Sequence, residues 1–501
     1  MKIRLPHSMQ NWISLGGMMI AGISFLMIIF LFIISTFLGA GGLYLGLLIY
    51  IVLPAVMIAG LILVLAGMII WRWRQRKHIT VEQAALPKID LNDAKHRRAF
   101  IIFSTVTTLF LFISAIGSYE AFHYTESVEF CGKLCHYLMI PEYTAYQYSP
   151  HAKVACVSCH VGPGANWYVR SKLAGLYQVY ATLTKTYPKP IPTPIKNLRP
   201  AREVCEQCHW PQKFYPYKLR LETHYLTDTP RSPWQIRLIM KIGAEHQAQG
   251  LKAGIHWHIN PDVKIEYAAL DQRGESIAWV RSTDLKSGKT TVFEDPNNPL
   301  TPSRLDSLGI KTMDCIDCHN RPSHDYRSPA LFVNTALAAG DIPDNLPEFK
   351  SLAMEICADE YPTTDSVRQA IRQRIYDFYQ QRYPEIAKQT QLLDQGVAGL
   401  STIVMQNIFP EMKVRWNVHP NHIGHLEFKG CFRCHDDSHV ATNGAVIRRD
   451  CTLCHSIVEQ GIAGKSEVAV IGQSLEFKHP VDIEETWRET LCSDCHSGLN
   501  P

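Results

Sequence analysis

From Leu5 to Trp71 the sequence contains no Asp, Glu, Lys or Arg. Soluble domains are not built from so long an uncharged run, so the overall balance of 46% hydrophobic and 19% charged residues hides a membrane segment. The run divides at Gly39-Ala40-Gly41-Gly42 into stretches 12–38 and 43–70, each longer than the ~20 residues that cross a bilayer. A third uncharged stretch, 99–119, is more polar, with Ser104, Thr105, Thr107 and Thr108. Signal-peptide cores are only about 7–15 apolar residues long, which argues against a cleaved leader for the first two. Three transmembrane helices are expected, with Trp12, Tyr44, Trp71 and Trp73 where interfacial aromatics belong.

Lys and Arg are equally absent from the loop between the first two stretches. Residues 71–98, by contrast, carry eight of them, Arg72, Arg74, Arg76, Lys77, Lys88, Lys95, Arg97 and Arg98, against three acids. By the positive-inside rule the N-terminus and 71–98 are cytoplasmic, and everything after Tyr119 is exported. Residues 99–501 are slightly acidic on balance, so the net charge of +4 reflects topology and gives no sign of nucleic-acid binding.

Of the fifteen cysteines only Cys357 stands outside a pair, and it is expected to be a small buried residue. Every pair is followed at once by histidine. Six read Cys-x-x-Cys-His: Cys156/Cys159/His160, Cys205/Cys208/His209, Cys315/Cys318/His319, Cys431/Cys434/His435, Cys451/Cys454/His455 and Cys492/Cys495/His496. The first in the chain, Cys131/Cys135/His136, has a third spacer residue. On a helical turn, cysteines at i and i+3 reach the two vinyl groups of a porphyrin, and the next histidine points at the iron. Zinc would not require a histidine after every pair, and disulfides leave the repeated unit unexplained. Seven covalently bound haem c groups are expected. Their attachment on the exported side of an energy-coupling membrane agrees with the orientation drawn from Lys and Arg.

Each motif histidine fills one axial position, and the second must come from elsewhere. The candidates are His151, His224, His256, His258, His324, His419, His422, His425, His439 and His479, with His123 and His246 also on the exported side. His7, His78 and His96 lie on the cytoplasmic side. Two axial histidines per iron imply low potentials and electron transfer rather than substrate binding.

The extra residue in the first motif rotates Cys135 and His136 by about 100° on a helix, so attachment demands a bulged or looped backbone. Met139 is a candidate soft ligand or an apolar packing residue. This motif begins eleven residues after Glu120, which suggests a haem at the membrane surface where a quinol could be oxidised. A quinol gives up two protons as well as two electrons, so such a site needs bases. Glu120, His123, Glu126 and Glu129 cluster before the motif, and Lys172 and Tyr177 follow the second one; the alternative for them is a solvated collar at the headgroups.

The stretches FCGKLCHYLMIPEY, SPHAKVACVSCHVGPG, KLAGLYQVY and REVCEQCH, following the third apolar stretch, resemble the NapC/NirT family of membrane-anchored tetrahaem quinol dehydrogenases over about residues 99–220. With seven motifs, a three-helix anchor and a long insertion, the whole chain resembles the seven-haem quinol oxidoreductases (ImcH type) of the inner membrane of metal-respiring bacteria. The resemblance implies a multi-pass inner-membrane protein with its haem domain in the periplasm. It implies electron flow from menaquinol in the membrane quinone pool, through the first haem, to periplasmic c-type cytochromes. Family members have a two-residue spacer in the first motif and often a Met two residues after its His; here Met139 is one position later. Gln178 stands where relatives tend to carry a carboxylate near the quinol, and it is a candidate to bond a quinol oxygen.

The expected fold is a membrane-anchored multihaem cytochrome c, with three transmembrane helices and a mainly α and irregular, haem-packed periplasmic domain with a small antiparallel β insertion. Its segments are 1–98 (two spans and the basic segment), 99–119 (the anchor helix), 120–220 (haems 1–3), 221–310 (the β-containing insertion), 311–330 (haem 4), 331–413 (helical) and 414–501 (haems 5–7). Residues 187–200 read as a proline-rich extended connector. Residues 264–293 alternate apolar and polar with turns at Arg273-Gly274 and Ser287-Gly288, the pattern of an inserted sheet, either inert or shaping a docking surface. Val367, Ile371, Ile375 and Phe378 recur at helical spacing and predict one buried face. Two other functions fit the motifs: a terminal reductase of a small nitrogen or sulfur oxyanion, disfavoured by the lack of any Cys-x-x-Cys-Lys motif, and a relay fed by another quinol dehydrogenase.

Overall fold

A computed structural model describes residues 7–9, 11–37, 52–76, 90–134, 136–162, 165–195, 199–243 and 253–499. Tyr44, Cys135 and His246 lie outside the described residues, as do the side chains of His136 and Lys172. The chain forms two compact units, one of residues 1–126 with 161–175, the other of 127–160 with 176–501.

Three helices of the first unit are long and apolar enough to cross a membrane: α1 (Trp12–Phe37), α2 (Leu53–Arg76) and α3 (Ala94–Glu126). Lipid offers apolar side chains no solvent to escape from, so helices associate there through close backbone approach and polar contacts. α1 and α2 do this at Gly17 and Gly60, where a Cβ on Gly17 would stand 2.6 Å from the Gly60 carbonyl oxygen. Beside them Ser14 Oγ donates to Val64 O at 3.1 Å.

The second unit has two antiparallel sheets and a helical core. The sequence pattern over 264–293 is realised as β3 (Val263–Ala269), β4 (Ile277–Asp284) and β5 (Thr290–Glu294), the middle of a five-stranded sheet ordered β6-β3-β4-β5-β7, with β6 at Lys311–Thr312 and β7 at Val440–Ala441. Ile265, Tyr267, Ile277 and Val280 are its buried cluster. A second sheet, absent from the sequence-based expectation, pairs the hairpin β1 (Tyr217–Tyr225) and β2 (Pro233–Lys241) with β8 (His455–Ile462) and β9 (Glu467–Val468). Its β2–β8 ladder joins segments more than 200 residues apart, with Met240 opposite His455.

The helical core is built by α6 (Pro329–Ala339), α7 (Phe349–Ala358), α8 (Thr364–Arg382) and α9 (Thr390–Val404); α4 (His136–Gln147) and α5 (Ala165–Thr184) precede them in the chain. The caps are legible in sequence: Ser328 accepts from Leu331 N–H before Pro329, and Thr363 and Ser366 form a reciprocal capping box. On α8 the fully buried stripe is Val367, Ile371, Ile375 and Tyr379. Phe378, expected on that stripe, is only partly buried; a repeat of four keeps the same face over this length, and the Tyr379 hydroxyl donates to Pro347 O at 2.8 Å. Each aliphatic side chain so buried contributes about 1.5–3 kcal/mol relative to exposure. Cys357 is buried in this core, and burial pushes its thiol up to about 12.

Candidate functional site

The six regular motifs adopt the turn that their chemistry needs. Cys156–His160, Cys315–Cys318, Cys451–Cys454 and Cys492–Cys495 are single α-turns, Ala201–Cys205 leads into the third motif, and Gly430–Arg433 is a 3-10 turn. The histidine N–H donates back to the first cysteine carbonyl at 2.8 Å in His209, His319 and His496, and at 3.1 Å in His435. That i to i+4 closure sets both thiols and the imidazole on one side of the turn.

Each of these six histidines faces a second one. Ring centroids are 6.2 Å apart for His160–His324, 5.9 Å for His209–His151, 6.2 Å for His319–His256, 5.9 Å for His435–His258, 6.2 Å for His455–His425 and 6.0 Å for His496–His479. A metal–imidazole bond is about 2 Å long and the ring centre lies roughly 1 Å behind the nitrogen, so two imidazoles sharing one ion stand about 6 Å apart. The residues therefore fit a six-coordinate haem iron at all six positions. Iron takes the neutral ring, and burial supplies it, holding His324 and His455 down at about 4 and lowering His160, His256, His258, His319, His425 and His435 as well.

Hydrogen bonds to main-chain carbonyls aim the partner rings. A metal-bound imidazole usually donates its other N–H to a carbonyl or carboxylate, which fixes the tautomer. Here Nδ1 lies 3.1 Å from Pro322 O in His151, 3.0 Å from Ile242 O in His256 and 2.9 Å from Ile255 O in His258. The corresponding distances are 3.0 Å to Glu142 O in His324 and 2.7 Å to Val481 O in His479. Nε2 is left for the iron. These acceptors are main-chain carbonyls, for which sequence holds no signature.

Four other candidate histidines face no motif histidine among the described ring contacts. His422 has Nδ1 2.9 Å from Asp317 O; its Nε2 stands 2.9 Å from a Glu275 carboxylate oxygen without a hydrogen bond between them. His439 has Nδ1 2.9 Å from Asp436 and Nε2 3.1 Å from Ile277 O. With both nitrogens of His439 engaged, and His422 held through Nδ1, these two tie loops together. His419 is buried on Tyr326 with Nδ1 3.2 Å from Thr193 Oγ1, and burial takes it down to about 3. His224 packs on Trp234, 6.5 Å between ring centroids, and is held at about 4 by burial first and by the Lys350 charge second.

The first motif absorbs its third spacer residue in a wide π-turn, Phe130–Leu134, ending directly before Cys135. A π-turn holds one more residue than an α-turn, the bulge that the spacing demanded. Gly132 is required in it, since a Cβ there would lie 2.2 Å from the Tyr143 ring. Met139 is half-buried and packs against the apolar cluster of Leu138, Tyr326, Phe409, Met412 and Val414.

Neighbouring motifs touch in sequence order. Cys131 lies beside Cys156 and lowers its thiol, and Cys315 does the same to Cys205. Cys159 feels Cys205 and Cys208; Cys318 feels Cys431; Cys454 feels Cys431; Cys492 feels Cys451. Shared segments add to this: the single turn Ile255–Ile259 carries His256 toward the fourth motif and His258 toward the fifth.

At the C-terminal end of α3, Glu120 and His123 are exposed, with the His123 ring against Tyr119 at 4.4 Å and Phe122 at 5.7 Å. Glu126 is half-buried, and its Oε1 is enclosed without a hydrogen-bond partner. Glu129 is exposed. On α5, Lys172, Tyr177 and Gln178 occur within two turns; Tyr177 is 68% exposed and Gln178 is exposed, on a helix whose Leu173, Leu176, Tyr180 and Leu183 also face outward.

Residues 94–191 match the NapC/NirT cytochrome c family, N-terminal region. Over 489 residues, 97% of this chain and 95% of the relative, the sequence is 42% identical to the cytochrome c-type protein ImcH of Geobacter sulfurreducens. The chain belongs to the ImcH family of c-type cytochromes. No solved structure matches it. Membership makes this ImcH-family protein an electron-transport cytochrome with covalently bound haem and a membrane anchor.

Proposed function

We propose that the protein is an inner-membrane quinol dehydrogenase that passes electrons from menaquinol, through seven haem c groups, to periplasmic c-type cytochromes. Haem iron supplies one-electron chemistry at a potential set by its axial ligands and surroundings. Support comes first from the six histidine pairs at 5.9–6.2 Å, which fill both axial positions and so favour conduction over substrate binding. The motif-to-motif contacts in chain order favour a single file from the first motif to the seventh.

The quinol end of the file is read at the first motif, five residues beyond α3. Glu120, His123 and Glu126 are the bases available for the two protons, with Lys172, Tyr177 and Gln178 as groups that bind and orient the quinol oxygens. The purified protein in detergent is expected to be reduced by a menaquinol analogue, read in the visible spectrum, and His123→Ala or Lys172→Ala to slow that step about 10-fold or more. Haems that dithionite reduces but the quinol analogue leaves oxidised would overturn this reading in favour of a relay.

A further inference from the structure

Five of the six histidine pairs hold at least one Nδ1 against a main-chain carbonyl, and in the fifth motif both partners do so, His435 to Arg448 O at 3.1 Å and His258 to Ile255 O at 2.9 Å. The sixth motif differs. The Nδ1 atoms of His455 and of its partner His425 are both enclosed, and neither has a hydrogen-bond partner. The Phe432 ring stacks on His425 at 4.4 Å and 28°, sealing that side with an apolar face.

A cation also stands beside this motif, as Arg433 does between the cysteines of the fifth, where both imidazoles keep their carbonyl acceptors. Met240 pairs with His455 across the β2–β8 ladder, which brings the next residue, Lys241, over the motif; its ammonium donates to the carbonyl of Thr452, between the two cysteines. Arg448 and Arg449 precede the motif, and Asp450 is the one acid beside them, its carboxylate spent on Thr452 N–H and Oγ1 at 2.8 and 2.7 Å. The third, fourth and seventh motifs instead carry a carboxylate between their cysteines, Glu206, Asp317 and Asp494.

These features act in one direction. Donation from Nδ1–H to a carbonyl makes the imidazole a stronger donor and stabilises ferric iron; without it the ferrous state gains. A ferric haem with two neutral axial rings carries one more positive charge than its ferrous form, so an adjacent cation favours reduction, as does enclosure. We propose that His425, His455 and Lys241 make the haem of the sixth motif the most readily reduced of the six bis-histidine haems. An electron would then rest one step before the seventh motif, held ready for an acceptor. The inference builds on the haem reading above but needs no quinol.

The test is a potentiometric titration of the full-length protein in detergent, followed by optical and EPR spectra. Lys241→Glu is expected to lower the highest bis-histidine step by about tenfold in its reduction equilibrium, about 59 mV for one electron, with Lys241→Met shifting it less. Cys451→Ser with Cys454→Ser should abolish that step and leave the lower ones. If the highest step stays in place in the Lys241 variants, or if removing the sixth attachment site deletes a lower step, the proposal is wrong. The Lys241 variants decide alone should the double variant not fold. A chain without covalent pigment on a haem-stained denaturing gel overturns the haem reading itself, and this inference with it.

Discussion

Within residues 176–501 two kinds of order stand side by side. Residues 329–404 form four longer helices and the single turn Pro384–Ala387 around an apolar core in which Phe332, Ile342, Phe349, Ile371, Ile375, Leu393 and Leu400 are wholly buried. The motif regions have little of this: their turns are four or five residues long, four of the six show no buried residue, and most of their cysteines are half-buried or exposed. Helices so short are not stable alone. Stability in the first region comes from apolar burial encoded in the chain, whereas in the second the proposed haems, packed against it and each clamped by two histidines, would supply it.

The sharpest way to break this contrast is to withhold the cofactor. Produced without haem ligation, the chain is expected to lose protease resistance almost completely across 414–501 while a fragment near 329–413 survives, as mass spectrometry of the digest would reveal. Equal loss in both regions would mean that the helical core leans on the haems as well. A smaller change tests the clamps singly: His324→Ala should open one axial position and convert one haem to a high-spin ferric signal. His422→Ala should leave the spin state alone and cost only about 1–3 kcal/mol for the contact with Asp317. If both variants gave a high-spin haem, the assignment of His324 to the second motif would lose its distinction.

In the helical core the expected effect is energetic. Ile375→Ala removes a wholly buried side chain and should destabilise that region by about 2–5 kcal/mol, with the Soret band unchanged; Phe378→Ala, on the rim, should cost less. Chemical denaturation followed by far-UV circular dichroism separates the two.

The attachment motifs and the membrane helices were legible because their signals are local: a four- or five-residue spacing, and an unbroken apolar run. The distal partners were legible as a set but not as pairs. His151 lies five residues before Cys156 yet faces the histidine of the third motif, and His324, five residues after His319, faces that of the second. His422 and His439 flank the fifth motif as His425 does, and only the folded neighbours Asp317, Asp436 and Ile277 engage their ring nitrogens. The sheet of β1, β2, β8 and β9 was hidden for the same reason: β2 is a plain strand in sequence, and its partner β8 begins at a haem-motif histidine 222 residues after β2 starts.

The smallest effect expected is a pH dependence confined to the helical core. Lys350 is wholly buried on α7, its ammonium donating to Asn334 Oδ1 at 2.8 Å and to Tyr225 O, and burial lowers it from 10.5 to about 7. Between those values the unfolded chain binds the proton and the folded chain largely does not, so stability rises with pH from about 7 toward 10.5. Below about 7 both states are protonated and the full cost of the buried charge is present. The slope cannot exceed about 1.4 kcal/mol per pH unit, the limit for one proton. Lys350→Met should flatten it in denaturation curves taken at several pH values, while the haem-clamped regions keep the dependence they have in the parent protein. A slope that persisted in the variant would mean that the lysine stays charged in the fold, paired more strongly with the two oxygens than burial opposes it.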